Sequence, residues 1–75
     1  MSKRVKFDLS NNNLSAVDIE HPFLTEVWIE NNPLQHLNLK SPEISVLRVE
    51  VKQLTLIDMK KLASLQRVEV AKESL

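Results

Sequence analysis

The chain of 75 residues is short enough that residues 1–75 are predicted to form one domain. Ten basic and ten acidic residues cancel, so the overall charge favours neither nucleic acid nor an anionic membrane as a partner. The absence of cysteine, of a signal-peptide apolar run and of a membrane-length apolar stretch predicts a cytoplasmic location. The absence of glycine argues against P-loop and Rossmann sites, and leaves asparagine to occupy left-handed turn positions.

Apolar residues recur at every fifth position from Leu9 to Met59. A second apolar series precedes every other member of the first by two residues: Phe7, Val17, Val27, Leu37, Leu47, Ile57 and then Val68. This alternation predicts short β-strands that turn two side chains inward and one outward, whereas a spacing of five would scatter the apolar residues around a helix. One set of strands is expected at 7–9, 27–29, 47–49 and 68–70, and another at 17–19, 37–39 and 57–59.

The polar turn residues show that the full repeat is twice as long. Asn12 and Asn32 are twenty residues apart, as are Pro22 and Pro42, and the two pairs alternate at the same place in the pattern. The sequence therefore predicts an all-β solenoid of about three and a half coils, with equivalent strands stacked in parallel ladders. The period slips by one residue near 62–64, and a short helical turn within 59–66 competes there with a continued solenoid.

Two segments, LSNNNLSAVDI and IENNPLQHLNL, follow the pattern L-x-x-N-x-L-x-x-L-x-L and resemble the leucine-rich repeat family. The nested ten-residue halves are similar to its short subclass of twenty to twenty-one residues, and the resemblance extends over residues 5–70. It implies that Asn12 and Asn32 form a structural ladder by bonding turn backbone inside the coil, a role that an amide can fill on physical grounds too. Lys52 departs from the pattern, since it stands where a third asparagine is expected.

The side chains that usually carry chemistry do not form a recognisable set. His21 and His36 are fifteen residues apart with no zinc-binding spacing, and no serine has the context of a catalytic nucleophile. An interior filled by aliphatic side chains leaves no cleft that could shift the pKa of paired carboxyl groups. We therefore expect a protein that is not an enzyme and needs no metal or cofactor.

The outward positions of the first strand set predict a binding face. Their central residues form the column Asp8, Trp28, Arg48 and Glu69; the flanks are Lys6, Glu26, Val46 and Arg67 on one side and Ser10, Glu30, Glu50 and Ala71 on the other. An exposed tryptophan beside an arginine, ringed by carboxylates, is typical of an interface hot spot. The predicted partner-binding residues are Asp8, Glu26, Trp28, Glu30, Arg48, Glu50 and Glu69. Trp28 stacked on Arg48 as surface decoration, and a homodimer contact, are the alternatives.

The expected function is that of a protein-binding module, an intracellular inhibitor or adaptor of another protein. The five-residue spacing also resembles pentapeptide-repeat β-helices that inhibit DNA-handling enzymes, but the large inward residues and the zero net charge argue against that alternative. A structural homo-oligomer, joined through the Trp28 face or through uncapped ends, is the third hypothesis. Residues 1–4 and 72–75 are expected to fray or to act as minimal caps at those ends.

Overall fold

A computed structural model describes residues 4–71, so most of the two segments expected to fray or cap, residues 1–3 and 72–75, lies outside the described residues. The described residues form six short strands: β1 (Val5–Asp8), β2 (Ala16–Glu20), β3 (Leu24–Trp28), β4 (His36–Lys40), β5 (Val46–Val49) and β6 (Arg67–Val70). They form a four-stranded sheet in the order β1-β3-β5-β6 and a two-stranded sheet of β2 and β4. Every pairing is parallel.

Each strand pairs with the strand of its own kind about one repeat away. Phe7 lies opposite Val27 in one sheet, and Val17 lies opposite Leu37 in the other, both at a separation of twenty residues. The pairing of β5 with β6 is longer by one residue, because Leu47 lies opposite Val68 after the insertion near 62–64. From β1 to β5 the strands alternate between the two sheets, whereas β5 and β6 belong to the same sheet and are joined by 3-10 helices.

The core lies between the two sheets and is made by the inward residues of the apolar series. Its buried members are Val17, Ile19, Leu24, Val27, Ile29, Leu39, Ile44, Leu47, Val49 and Leu62. Val27 and Leu47 are fully inaccessible to solvent, whereas their neighbours Glu26 and Arg48 are only half-buried. This alternation follows from the two-residue side-chain period of a strand. The core covers the inner faces of β3 and β5, whereas Val68 and Val70 of β6 are exposed.

Asparagine residues build the turns that follow β1 and β3. Asn11 and Asn31 both have φ of 59°, a left-handed conformation that asparagine tolerates better than other non-glycine residues. The Asn32 amide donates to the carbonyls of Ile29 at 3.0 Å and Leu9 at 2.9 Å, which connects successive turns. Its side-chain oxygen accepts from the backbone of Leu14 at 3.1 Å. The buried amide thus satisfies backbone groups that would otherwise lack partners.

Asn12 makes the equivalent local bonds at the more exposed end of this ladder. Its amide donates to Leu9 at 2.9 Å and to Ser10 at 3.1 Å, and its backbone N–H donates to the side-chain oxygen of Asn32 at 3.2 Å. Asn12 is exposed, whereas Asn32 is buried. The two predicted ladder residues therefore share a bonding pattern but differ in their access to water.

The predicted strand at 57–59 is wrong. The chain instead forms two short 3-10 helices, Val51–Leu56 and Met59–Lys61, and the second sheet ends at β4. The first helix begins where the earlier repeats place a left-handed asparagine, and Val51 stands there instead. A β-branched residue strongly disfavours positive φ, so the turn cannot be repeated. The second helix supplies the helical turn predicted within 59–66, limited to its first residues.

Gln53 replaces the missing third asparagine, one position after Lys52. Its side chain is 1% exposed and donates to the carbonyls of Ile29 at 3.0 Å and Asn32 at 3.3 Å. Its side-chain oxygen accepts from the backbone of Glu50 at 2.9 Å. A longer amide side chain thus extends the ladder even though the backbone has changed to a 3-10 helix.

The described residues are mostly strands in parallel sheets with little helix, which confirms the all-β class. Between residues 4 and 71, no helix is long and apolar enough to cross a membrane.

Candidate functional site

The strand register places the predicted column in one row across the four-stranded sheet. Asp8 lies opposite Trp28, Trp28 opposite Arg48, and Arg48 opposite Glu69. These side chains point away from the core, because each follows or precedes an inward residue such as Val27. Trp28 occupies β3, which has a neighbouring strand on either side.

Two cations lie over the indole ring of Trp28. The Lys6 ammonium lies 3.4 Å from the ring centroid, and the Arg48 guanidinium carbon lies 4.6 Å from it. Lys6 belongs to β1 and Arg48 belongs to β5, the two strands that flank β3. The indole N–H donates to a Glu26 carboxylate oxygen at 2.6 Å. The predicted stacking of Arg48 is therefore present, together with a Lys6 contact that the sequence pattern does not predict.

Glu30 and Glu50 differ from the expected ring of exposed carboxylates, since they are only 8% and 7% exposed. Glu30 forms an ion pair with Arg48, and Glu50 accepts a hydrogen bond from the backbone N–H of Asn31. Both carboxylates are thus used inside the protein, where they hold Arg48 and the asparagine turn. The two-residue alternation that predicted exposure ends with the strands, so it does not apply to these positions.

The remaining predicted residues lie within reach of solvent. Asp8 is exposed, while Glu26 and Glu69 are half-buried. The Ser10 hydroxyl and backbone N–H donate to Asp8, which lowers the pKa of its carboxyl group below the ordinary 3.8, and Lys6 and Arg48 add smaller effects of the same sign. Asp8 therefore remains ionised near neutral pH. Glu69 forms an ion pair with Arg67 at 2.8 Å.

A shallow depression of about 460 Å³ lies beside the column. Trp28 and Arg48 form part of its wall, and the Asn11 and Asn31 turns form another part. Its lining is largely polar and charged, so it offers hydrogen bonds and ion pairs around one aromatic side chain. Such a surface suits a protein segment better than an apolar small molecule.

No family model, curated protein or solved structure matches this chain.

The other candidate groups form no comparable site. His36 is exposed on β4, and His21 packs edge-on against Phe7 and Phe23 with centroid distances of 5.6 and 6.4 Å. In the part of the chain that the structure describes, no three His, Cys, Asp or Glu side chains are placed to hold a metal ion. The outer face of the two-stranded sheet carries polar pairs such as Asn38, whose amide donates to Asp18 at 3.2 Å. The outward-facing tryptophan, Trp28, lies on the four-stranded sheet instead.

Proposed function

We propose that the protein is a small leucine-rich-repeat-like solenoid that binds another protein through the outer face of its four-stranded sheet. The nested repeat in the sequence and the parallel pairing of strands twenty residues apart support the solenoid architecture. The mode of action is occupancy: in the cytoplasm, the module blocks or tethers a larger partner as an inhibitor or adaptor.

The position of Trp28 carries the proposal. Its side chain is half-buried on the outer face of β3, while the inward neighbours Val27 and Ile29 are fully buried. Lys6 and Arg48 restrain the indole, so a partner would find it already ordered. An aromatic side chain fixed before binding loses little conformational entropy when it is covered, which is why such residues dominate interface energies.

The surroundings of Trp28 support a protein partner over duplex DNA or a DNA-binding enzyme site. The face places the cations Lys6 and Arg48 among the carboxylates of Asp8, Glu26 and Glu69, so neither sign of charge prevails over a wide area. Nucleic-acid binding needs a basic surface and DNA mimicry needs an acidic one. A mixed polar rim around an aromatic residue is the usual composition of a protein–protein interface.

Affinity capture with matched baits tests this proposal. Wild-type protein, Trp28→Ala and Asn38→Ala would each be used to retain partners from extracts of the source cells. Any retained protein would then be purified and titrated by calorimetry. We expect Trp28→Ala to weaken binding by about 2 kcal/mol or more, roughly 30-fold, because the buried indole area is lost. Asn38→Ala, on the outer face of the other sheet, should bind like the wild type.

Circular dichroism separates a binding effect from unfolding. Trp28→Ala should retain the far-ultraviolet spectrum of the wild type, since Trp28 lies outside the core cluster. Equal affinity of the wild type and Trp28→Ala for a verified partner would refute the Trp28 face as the binding surface. Loss of binding in Asn38→Ala alone would move the surface to the two-stranded sheet.

A further inference from the structure

The outer edge of β1 is open. β1 is the terminal strand of its sheet, and within residues 4–71 no strand lies on its outer side. The backbone N–H of Leu9 donates to Trp28 at 2.8 Å, so the alternate residues Phe7 and Leu9 direct their backbone groups towards β3. The N–H and C=O groups of Lys6 and Asp8 consequently point to the open edge. An unpaired edge of this kind can accept another strand.

We propose that the β1 edge pairs with the β1 edge of a second copy of this chain, in an antiparallel contact centred on Phe7. The two-fold axis places Phe7 opposite its copy. It also places Lys6 of each chain opposite Asp8 of the other. The four-stranded sheets of both copies become continuous across the contact, with their Trp28 faces on the same side.

Backbone geometry supports this register. Lys6 and Asp8 have the outward-pointing backbone groups, so each facing pair of these residues can exchange both N–H···O=C bonds. Phe7 then lies in a non-hydrogen-bonded pair, where facing side chains approach most closely. Its half-buried ring points to the core side of the sheet and would be covered by its copy.

Charge selects the same register. In this register, Lys6 of each chain lies opposite the Asp8 carboxylate of the other, which gives two such contacts. Neither Lys6 nor Asp8 belongs to an ion pair among the described residues. Moving the centre by one residue in either direction would set Lys6 against Lys6 or Asp8 against Asp8. Like charges in facing positions destabilise a strand pair. A register that places an outward-facing residue of one β1 opposite a core-facing residue of the other would bring apolar residues to the outer face. Such registers are therefore excluded as well.

The charges in facing positions also argue against end-to-end stacking of β6 of one copy on β1 of the next. A parallel continuation of the ladder would place Lys6 beside Arg67 and Asp8 beside Glu69, which are like-charged in both cases. Arg67 and Glu69 already pair with each other at 2.8 Å. The two open edges therefore repel one another in the continuing register, whereas the β1 edge complements itself.

The contact should be weak and dependent on concentration. The exposed acidic residues Asp18 and Glu20 lie on β2, the terminal strand at the same end of the other sheet, and would repel their copies. Pairing of β1 alone also joins only a short strand. A dimer in equilibrium with monomer is therefore expected.

Sedimentation velocity over a dilution series from about 10 μM to about 1 mM tests the proposal. The wild type should shift from monomer to dimer. Single charge reversals, Asp8→Lys or Lys6→Asp, should each raise the dimer dissociation constant about 10-fold or more, because facing like charges replace two ion pairs. The double reversal, Lys6→Asp with Asp8→Lys, restores opposite charges at both positions and should recover most of the wild-type constant. Circular dichroism would confirm that each variant is folded.

Three results would overturn the inference. A wild type that stays monomeric at 1 mM would show that the edge does not self-associate. Open-ended oligomers that Asp8→Lys strengthens would indicate stacking against Glu69. A dimer indifferent to the single reversals would lie on another surface. The proposed function would survive each of these results, since the Trp28 face can bind a partner without the β1 contact.

Discussion

Residues 31–40 and residues 51–61 have nearly the same spacing of apolar residues, yet only the first segment forms a strand. The first begins with Asn31 and Asn32 and leads into β4, whereas the second begins with Val51 and Lys52 and forms two 3-10 helices. Apolar spacing alone therefore does not decide which side chains enter the core, since Met59 has the spacing of Leu39 but is exposed. The turn residues decide whether the backbone can enter the next strand in the same way.

Replacement of Asn32 by alanine should destabilise the first segment more than any other single substitution considered in the two segments. The buried amide donates to three carbonyls and accepts from two backbone N–H groups. Their loss should lower the free energy of unfolding by about 3 kcal/mol, measured by urea denaturation. Asn12→Ala is the matched control, and about 1 kcal/mol is expected because water can reach its partners. Equal losses in the two variants would contradict the role of burial.

Gln53→Ala tests whether the second region keeps the ladder despite its different backbone. The substitution would leave the buried carbonyls of Ile29 and Asn32 without the Gln53 amide, and we expect a loss of about 2 kcal/mol in urea denaturation. Lys52→Ala, at the adjacent exposed position, should change stability by less than about 0.5 kcal/mol. The opposite order would mean that Lys52, at the position of the missing asparagine, carries the turn.

Exchange of the turn residues between the two segments should have a smaller effect on stability. Asn31→Val places a β-branched side chain at φ of 59° and should cost about 1 to 2 kcal/mol in thermal or urea unfolding. The reverse change, Val51→Asn, should stay within about 0.5 kcal/mol of the wild type because asparagine can adopt the existing backbone. A harmless Asn31→Val would show that positive φ is not what separates the regions.

Much of the architecture follows from simple periodicity. The series through Val27, Leu47 and their equivalents predicts most of the buried residues from Val17 to Val49, and the spacing of twenty residues predicts which strands lie side by side. The inward placement predicted for Met59, Val68 and Val70 is wrong, since these side chains are exposed. The missing strand at 57–59 could not be predicted in this way, because the pattern of inward residues continues through it. The difference arises at Val51, which replaces the turn asparagine. This position lies outside the apolar series, so the spacing of that series does not reveal the change.

The candidate site was predictable to a similar degree. Alternation within β3 and β5 places Trp28 and Arg48 on the outer face. It could not predict that Glu30 and Glu50 are buried, because both follow the last strand residue and their positions depend on the turn. Nor does spacing along one strand reveal Lys6 over the indole, since that contact arises between neighbouring strands.

Because two cations contact the indole, the intrinsic fluorescence of Trp28 reports on this surface. Trp28 is the single tryptophan of a chain without tyrosine, so near-ultraviolet emission originates from one known place. Displacement of Lys6 or Arg48 from the ring would alter the local electric field at the indole. The wavelength of the emission maximum and the fluorescence intensity would change as a result. A ligand arriving on this surface can therefore be followed without attaching a dye.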